Sequence, residues 1–381
     1  MIRAALLLIT MTLSAMAPAG ASDRLHITFI NPGGDTEFWG DVTATMSAAA
    51  KDLNIDLNVI HTNRDRLKMV DAARNLARAD TLPDYIIIVN ELQQAPLMLD
   101  VLADTGVPVF ILLNRMTQEQ RIGFAASGGD LSQIVGSIVT DNEVAGYDMA
   151  MSLIQEARSK GLNADGISLM ALLGDAATPA ALEREEGLRR ALQEHPDVSL
   201  IRAFPVMWSA ATAYERTQTA LQRYDLDAVW AANDQIALGA RAAALASGKT
   251  PGRTILFAGL NWSIEGLRAV RDGDFTMTHG GHFFAGAWSM IVLRDIEDGA
   301  LPRGSHLEFP MSAVRSDAVH QFLMLIGKRA WDRIDYMSFR RSVSAQERYA
   351  FDAQTILSAS SGTAPNGSLR PTPCDASSDF N

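Results

Sequence analysis

Amide, carboxylate, guanidinium and aromatic side chains recur in this chain directly after short apolar runs. Residues 25–30 are followed by Asn31-Pro32-Gly33-Gly34-Asp35-Thr36-Glu37-Phe38-Trp39. Asn90 and Glu91 follow the run 85–89, and Asn114 and Arg115 follow 109–113. Further along come Thr178, Trp208, Asn233-Asp234, Asn261-Trp262 and His279-Gly280-Gly281-His282. Such a set suits a sugar-like guest. Each hydroxyl both donates and accepts, so planar amides, carboxylates and guanidinium groups meet it with paired hydrogen bonds. Aromatic faces pack on its C–H surfaces.

The elements that must position these groups are visible as short apolar runs alternating with amphipathic stretches. Runs at 25–30, 55–60, 85–89 and 109–113 read as strands, and 37–53, 67–79 and 92–104 read as helices. Tyr-Ile-Ile-Ile-Val at 85–89 is apolar throughout, as expected of a strand covered on both faces. The alternation then restarts. Helices are expected at 143–158, 179–194, 210–223, 236–247, 264–271 and 284–298, with strands at 167–173, 198–204, 228–231, 254–258 and 275–278. This predicts an α/β chain of two similar doubly wound parallel-sheet lobes joined by a hinge, with a helical C-terminal extension. Ligands of such sheets sit outside the carboxyl ends of the strands, where the residues named above fall. One lobe is expected to take residues 22–140 and 279–310, the other 141–278, and a partly helical extension 311–357.

The chain has 381 residues, 48% of them apolar and 20% charged, with a formal charge of −11. That composition is globular, and the length suits two domains. The acidic balance argues against nucleic acid or an anionic membrane surface as a partner. One cysteine, Cys374, leaves no internal disulfide framework and no multi-cysteine metal site to expect. Residues 1–21 read as a secretory signal, with Arg3 before an apolar run and Ala19-Gly20-Ala21 as the small–x–small cleavage site. Residues 358–381 are rich in Ser, Pro and Gly and read as a disordered tail.

Each candidate also has a plainer structural reading. Phe38 and Trp39 could be core residues at a helix start, and Trp208 follows an irregular Phe204-Pro205-Val206 exit. At Asn233-Asp234 either side chain can cap the next helix; Asp234 is read as the cap and Asn233 as the ligand contact. Asp141 either touches ligand from the hinge or caps the helix after it. Arg115 either reaches ligand, the favoured reading, or closes a salt bridge across the cleft. Glu91 reads as a solvated helix-start acid, and Glu183–Glu186 with Arg189-Arg190 as a solvated helix face. His279 and His282 form His-x-x-His, but zinc needs three or four ligands and no acid or thiol stands at a suitable spacing. They are read as polar lining rather than a metal site, and no cofactor is expected.

The residue order resembles the type I periplasmic solute-binding proteins, in particular the ribose/galactose-type sugar binders and the periplasmic autoinducer-2 receptor. The resemblance runs over about residues 25–310. It rests on Asn31-Pro32 with Phe38-Trp39, Asn114-Arg115, Thr140-Asp141-Asn142 with Gly146, and the run from Ala180 through Gly187. Ala232-Asn233-Asp234-Gln235-Ile236-Ala237-Leu238-Gly239 completes it. The resemblance implies that Phe38 and Trp39 stack on ligand and Thr36 binds a hydroxyl. It further implies ligand contacts from Asn114, Arg115, Trp208, Asn233 and Asn261. Two departures stand out: Leu182 replaces the ligand-binding Arg of the ribose-type Ala-Ala-Arg-Glu-Arg motif, and Gly280-Gly281, flanked by His279 and His282, replaces a Gln or Arg.

The resemblance implies a monomeric periplasmic receptor that clamps a small polar solute between its lobes and delivers it to a membrane ABC permease. A sensor kinase or chemoreceptor as recipient is the alternative. Catalysis has no support in the motifs: no G-x-S-x-G, H-E-x-x-H, P-loop or G-x-G-x-x-G appears. A sugar-responsive repressor would need a helix-turn-helix and a basic face, where this chain has an export signal and negative charge.

Overall fold

Twelve strands form two six-stranded sheets in the computed structural model, which describes residues 24–35, 37–162, 166–344 and 348–361. The secretory signal expected at 1–21, Thr36, and residues 362–381 of the expected tail lie outside the described residues. The strands are β1 (Leu25–Asn31), β2 (Ile55–His61), β3 (Tyr85–Ile88), β4 (Val109–Leu113), β5 (Ile134–Thr140) and β6 (Ile167–Leu173). They continue as β7 (Val198–Pro205), β8 (Ala228–Ala231), β9 (Leu256–Leu260), β10 (Met277–Gly280), β11 (Ser305–Phe309) and β12 (Ser312–Val314). The first sheet runs β11-β5-β4-β3-β1-β2 and the second β12-β10-β9-β8-β6-β7. All pairings are parallel except β10 with β12.

The two-residue period of a strand splits each sheet's apolar side chains between two faces. In the first sheet Ile27, Phe29 and Ile87 join one core, with Val42 and Met46 of the helix Glu37–Asp52 and Trp288 of the helix Ala285–Glu297. Ile30, Ile86 and Ile88 point the other way, onto Met69, Met98 and Leu99 from the helices Arg66–Ala77 and Ala95–Leu102. Helices thus cover both faces, and β3 is buried at every residue. This is the α/β arrangement expected from sequence.

The chain passes between the sheets after β5, after β10, and between β11 and β12. Some expected elements differ. The helix Gln118–Ala126 and strand β5 were not foreseen, and β11 pairs with β5 to extend the first sheet. His279 and Gly280 lie in β10 of the second sheet, not in the first lobe. The extension does not begin at residue 311, because Ser312–Val314 pairs with Thr278–Gly280. Within the extension a short helix Arg341–Ser344 precedes another at Ala353–Ser361. The Phe351 ring stacks on Trp288 at 4.4 Å, and Asp352 receives the Thr355 N–H at 2.8 Å at the start of the second helix. That helix also takes in residues 358–361, which the sequence assigned to the tail.

The extension touches both lobes. Its helix Val319–Lys328 packs beside Ile264–Arg271, with Phe322 on Trp262 at 4.6 Å. Trp331 then packs on Phe283 and Phe284, at 5.6 and 5.3 Å, next to the helix Ala285–Glu297.

Candidate functional site

The carboxyl ends of the two sheets face each other across a cavity of about 470 Å³. The first lobe contributes Phe38 and Trp39 after β1, Asn63 and Arg64 after β2, Glu91 after β3, and Asn114 after β4. The second contributes Asn142, Thr178, Arg184, Trp208, Asn233 and Asn261, and His282 enters from the turn after β10.

Asn31 ties the β1 loop together. It is fully buried, its Oδ1 accepts the Gly33 N–H at 2.8 Å, and its Nδ2 donates to Thr43 Oγ1 at 2.9 Å. Phe38 stacks on His282 with centroids 4.3 Å apart and meets Trp39 edge-on at 5.1 Å. Asn233 caps the helix, its Oδ1 accepting the Ile236 N–H at 2.9 Å, so the cap is Asn233 and not Asp234, while Asn233 still borders the cavity. Asp234 is fully buried and accepts from Ser263 N–H (2.8 Å), Ser263 Oγ (2.8 Å) and Thr278 Oγ1 (2.7 Å), which ties β8 to β9 and β10. Burial pushes its carboxyl up to about 6 against those hydrogen bonds.

Three expected contacts do not line the cavity. Arg115 is exposed and pairs with Glu308 of β11 at 3.3 Å, a bridge within the first sheet. Asp141 caps the helix Asn142–Ser159, accepting the Val144 N–H at 2.9 Å. His279 is buried in β10 with Nε2 3.4 Å from Asp148. His282 faces Arg184 instead, at 3.4 Å, so the two rings have different partners. Burial holds both imidazoles below their ordinary range, His282 well below, with the Arg184 charge adding to it.

The charged lining is what the sequence reading missed. Glu91, expected in solvent, is buried. It pairs with Arg64, accepts Asn114 Nδ2 at 3.2 Å, and lies 3.3 Å from Thr178 Oγ1 of the other lobe. Burial raises its carboxyl above the usual range, and the Arg64 charge opposes that. Arg184, assigned to a solvated face, is 4% exposed. Gly146 and Gly187 let its helix approach Asn142–Ser159 so closely that a Cβ on Gly187 would lie 1.9 Å from the Glu143 carbonyl oxygen. Arg184 therefore reaches inward, donating to Asn142 Oδ1 at 3.0 Å and to the Ala232 carbonyl at 2.9 Å. Desolvation lowers its pKa to about 10, so it stays cationic at neutral pH. The usable signal was the spacing Ala181, Arg184, Leu188, Ala191, which puts Arg184 on the buried helix face. Arg64 follows β2, a strand whose carboxyl end the sequence reading passed over.

Two parallel-sheet α/β lobes with a polar, aromatic-walled cavity at their facing strand ends define a two-lobed binding-protein architecture. The chain belongs to the periplasmic binding protein domain family, whose model matches residues 27–296. It is similar to the ribose import binding protein of Haemophilus influenzae, 32% identical over 152 residues, which is 40% of this chain and 48% of that protein. That match spans about half the length of the relative. The Escherichia coli galactofuranose-binding protein is 21% identical over 273 residues, 71% of this chain and 81% of that protein. Among solved structures, a periplasmic sugar-binding protein from Pseudomonas fluorescens superposes with a TM-score of 0.79 at 36% identity, covering 87% of this chain and 99% of that one.

Proposed function

We propose that this protein is a periplasmic receptor that captures a small polyhydroxylated solute, of the sugar class, in the interlobe cavity and passes it to a membrane ABC importer. The observation that carries the reading is the cavity wall itself. Trp39 and Trp208 offer aromatic faces from opposite lobes, and Asn63, Asn114, Asn142, Asn233 and Asn261 supply amides between them. Charged groups in the wall are already paired or bonded to neutral acceptors, which favours a neutral, hydroxyl-rich guest. Each lobe supplies half of the contacts, so only the closed arrangement makes both sets, and ligand draws the hinge shut. The names of the similar proteins, which include binders of ribose, galactofuranose and allose, support the same ligand class.

Isothermal calorimetry against D-ribose, D-allose, D-galactose, L-arabinose, D-apiose, xylitol and myo-inositol tests this. Micromolar or tighter binding of at least one is expected, and absence of heat with all seven rejects the sugar class. A sensory output is the second reading, favoured by the extension that packs on both lobes and so could present the ligand state to a receptor. Capture of a permease rather than a sensor by the ligand-loaded protein decides between them.

A further inference from the structure

Two strained backbone pairs face each other across the cleft. Asn63 and Arg64 (φ 53° and 57°) lie after β2, and Met207 and Trp208 (φ 52° and 60°) lie after β7. None is glycine, so each carries strain that its surroundings must hold. Asp175, in the loop after β6, stands between them and is 4% exposed. Its Oδ1 accepts the backbone N–H groups of Ala177 (2.8 Å) and Thr178 (2.6 Å). Its Oδ2 accepts Trp208 Nε1 (2.6 Å), Thr178 Oγ1 (2.7 Å) and, from the opposite lobe, the Arg64 guanidinium (3.3 Å). The indole has one seat: a Cβ on Gly174 would fall 2.4 Å from Trp208 Cζ2, so only glycine fits against that edge of the ring. The Arg64 guanidinium carbon lies 5.3 Å from the centre of the same ring.

We infer that Asp175 is a positioning residue that fixes the Trp208 ring in the cavity wall and receives Arg64 from the other lobe, so that one carboxylate sets the aromatic platform and holds the lobes together. The inference deepens, and rests on, the reading that ligand occupies this cavity. Two donors from different lobes converge on one oxygen, Asp175 Oδ2. Taking the charge away therefore loosens the ring and the lobe contact at once. Although burial opposes it, the hydrogen bonds from Thr178, Trp208 and the loop backbone keep this carboxyl below its ordinary range, so the acceptor is ionised at neutral pH.

The test uses the full chain labelled with 5-fluorotryptophan, with the Trp208 fluorine line assigned by W208F. In D175N the Trp208 line shifts while the other tryptophan lines hold, and D175E, which keeps the charge, returns it toward the wild-type position. In parallel, spin labels at L97C and L245C, two exposed positions with one on each lobe, report the interlobe distance in a C374S background. D175N and R64M each shift the distribution to longer distances, and the double variant shifts it no further than either alone. A Trp208 line unmoved by D175N, or distance changes that add in the double variant, overturns the inference. If D175N fails to fold, D175S takes its place in both readouts, a shifted Trp208 line with a lengthened interlobe distance being the supporting result and an unmoved line the opposing one. No sugar is added at any stage. A protein that shows this coupling yet binds nothing in the calorimetric panel would sink the functional reading and keep this one.

Discussion

The Arg64 guanidinium lies 5.3 Å from the centre of the Trp208 ring, one residue from each lobe, so a cation and an aromatic face meet across the cleft. Trp208 is half-buried and borders the cavity. It packs on the core only at its edge and is not fully buried, so a guest on its face depends on it more than the fold does. Trp208→Ala is expected to weaken binding of the responding sugar by about 1–3 kcal/mol, the worth of a lost aromatic platform. Urea unfolding should change far less. Calorimetry and a urea titration on the same preparation separate the two, and unaltered affinity would remove Trp208 from the site.

Arg184 donates to two acceptors that have little access to water, the Ala232 carbonyl and Asn142 Oδ1. Arg184→Met fills similar space but leaves both without that donor. A cost of about 1–3 kcal/mol for each unsatisfied group is expected in folding stability. Because Asn142 and Asn233 flank the gap in the cavity wall, affinity falls with it. A variant as stable as the parent in urea would show that water replaces the guanidinium.

The fold was more legible than the charged lining, for a physical reason. Tyr-Ile-Ile-Ile at β3 has no polar face to present, so burial on both sides follows from residue type alone. Strand-end position similarly marked Phe38, Trp39, Asn114, Trp208, Asn233, Asn261 and His282, all of which border one cavity. Arg64, Glu91, Asp175 and Arg184 are different. Charged residues are exposed by default, and their placement at this cavity depends on partners that only the tertiary fold brings near, such as Arg64 for the buried Glu91 and Trp208 for Asp175. The run Glu183-Arg184-Glu185-Glu186 looks uniformly solvated, although its helical phase turns Arg184 alone to the buried face.

Asp234 supplies a pH dependence of definite sign. Its carboxyl rises from 3.8 to about 6 on folding, chiefly through burial. The folded chain therefore binds that proton more tightly than the unfolded one. The contribution favours the fold below about pH 4 and is lost as pH rises through about 6. Its size is on the order of 2–3 kcal/mol. Asp234→Asn removes the titration, so the parent should lose stability relative to the variant steadily from pH 4 to pH 7. Parallel stability-against-pH curves for the two proteins would show that Asp234 does not titrate in this range.

The extension is held to the first lobe by a buried ionic cluster. Arg340 donates to Asp295 Oδ1 at 3.0 Å and also pairs with Asp298. Asp295 is fully buried and further accepts the Arg341 N–H at 2.9 Å and the Tyr349 hydroxyl at 2.9 Å. Arg340→Ala takes the cation from a carboxylate that water does not reach, and about 3–5 kcal/mol of stability should go with it. The loss has a distinctive reversal: Asp295→Asn in the same chain removes the stranded charge and should restore part of the stability. Urea unfolding of the parent, both single variants and the double variant measures the coupling directly. Additive single effects would mean that Arg340 acts by packing alone, and that the strap between the lobes is anchored by Trp331, Phe339 and Phe351 without help from charge.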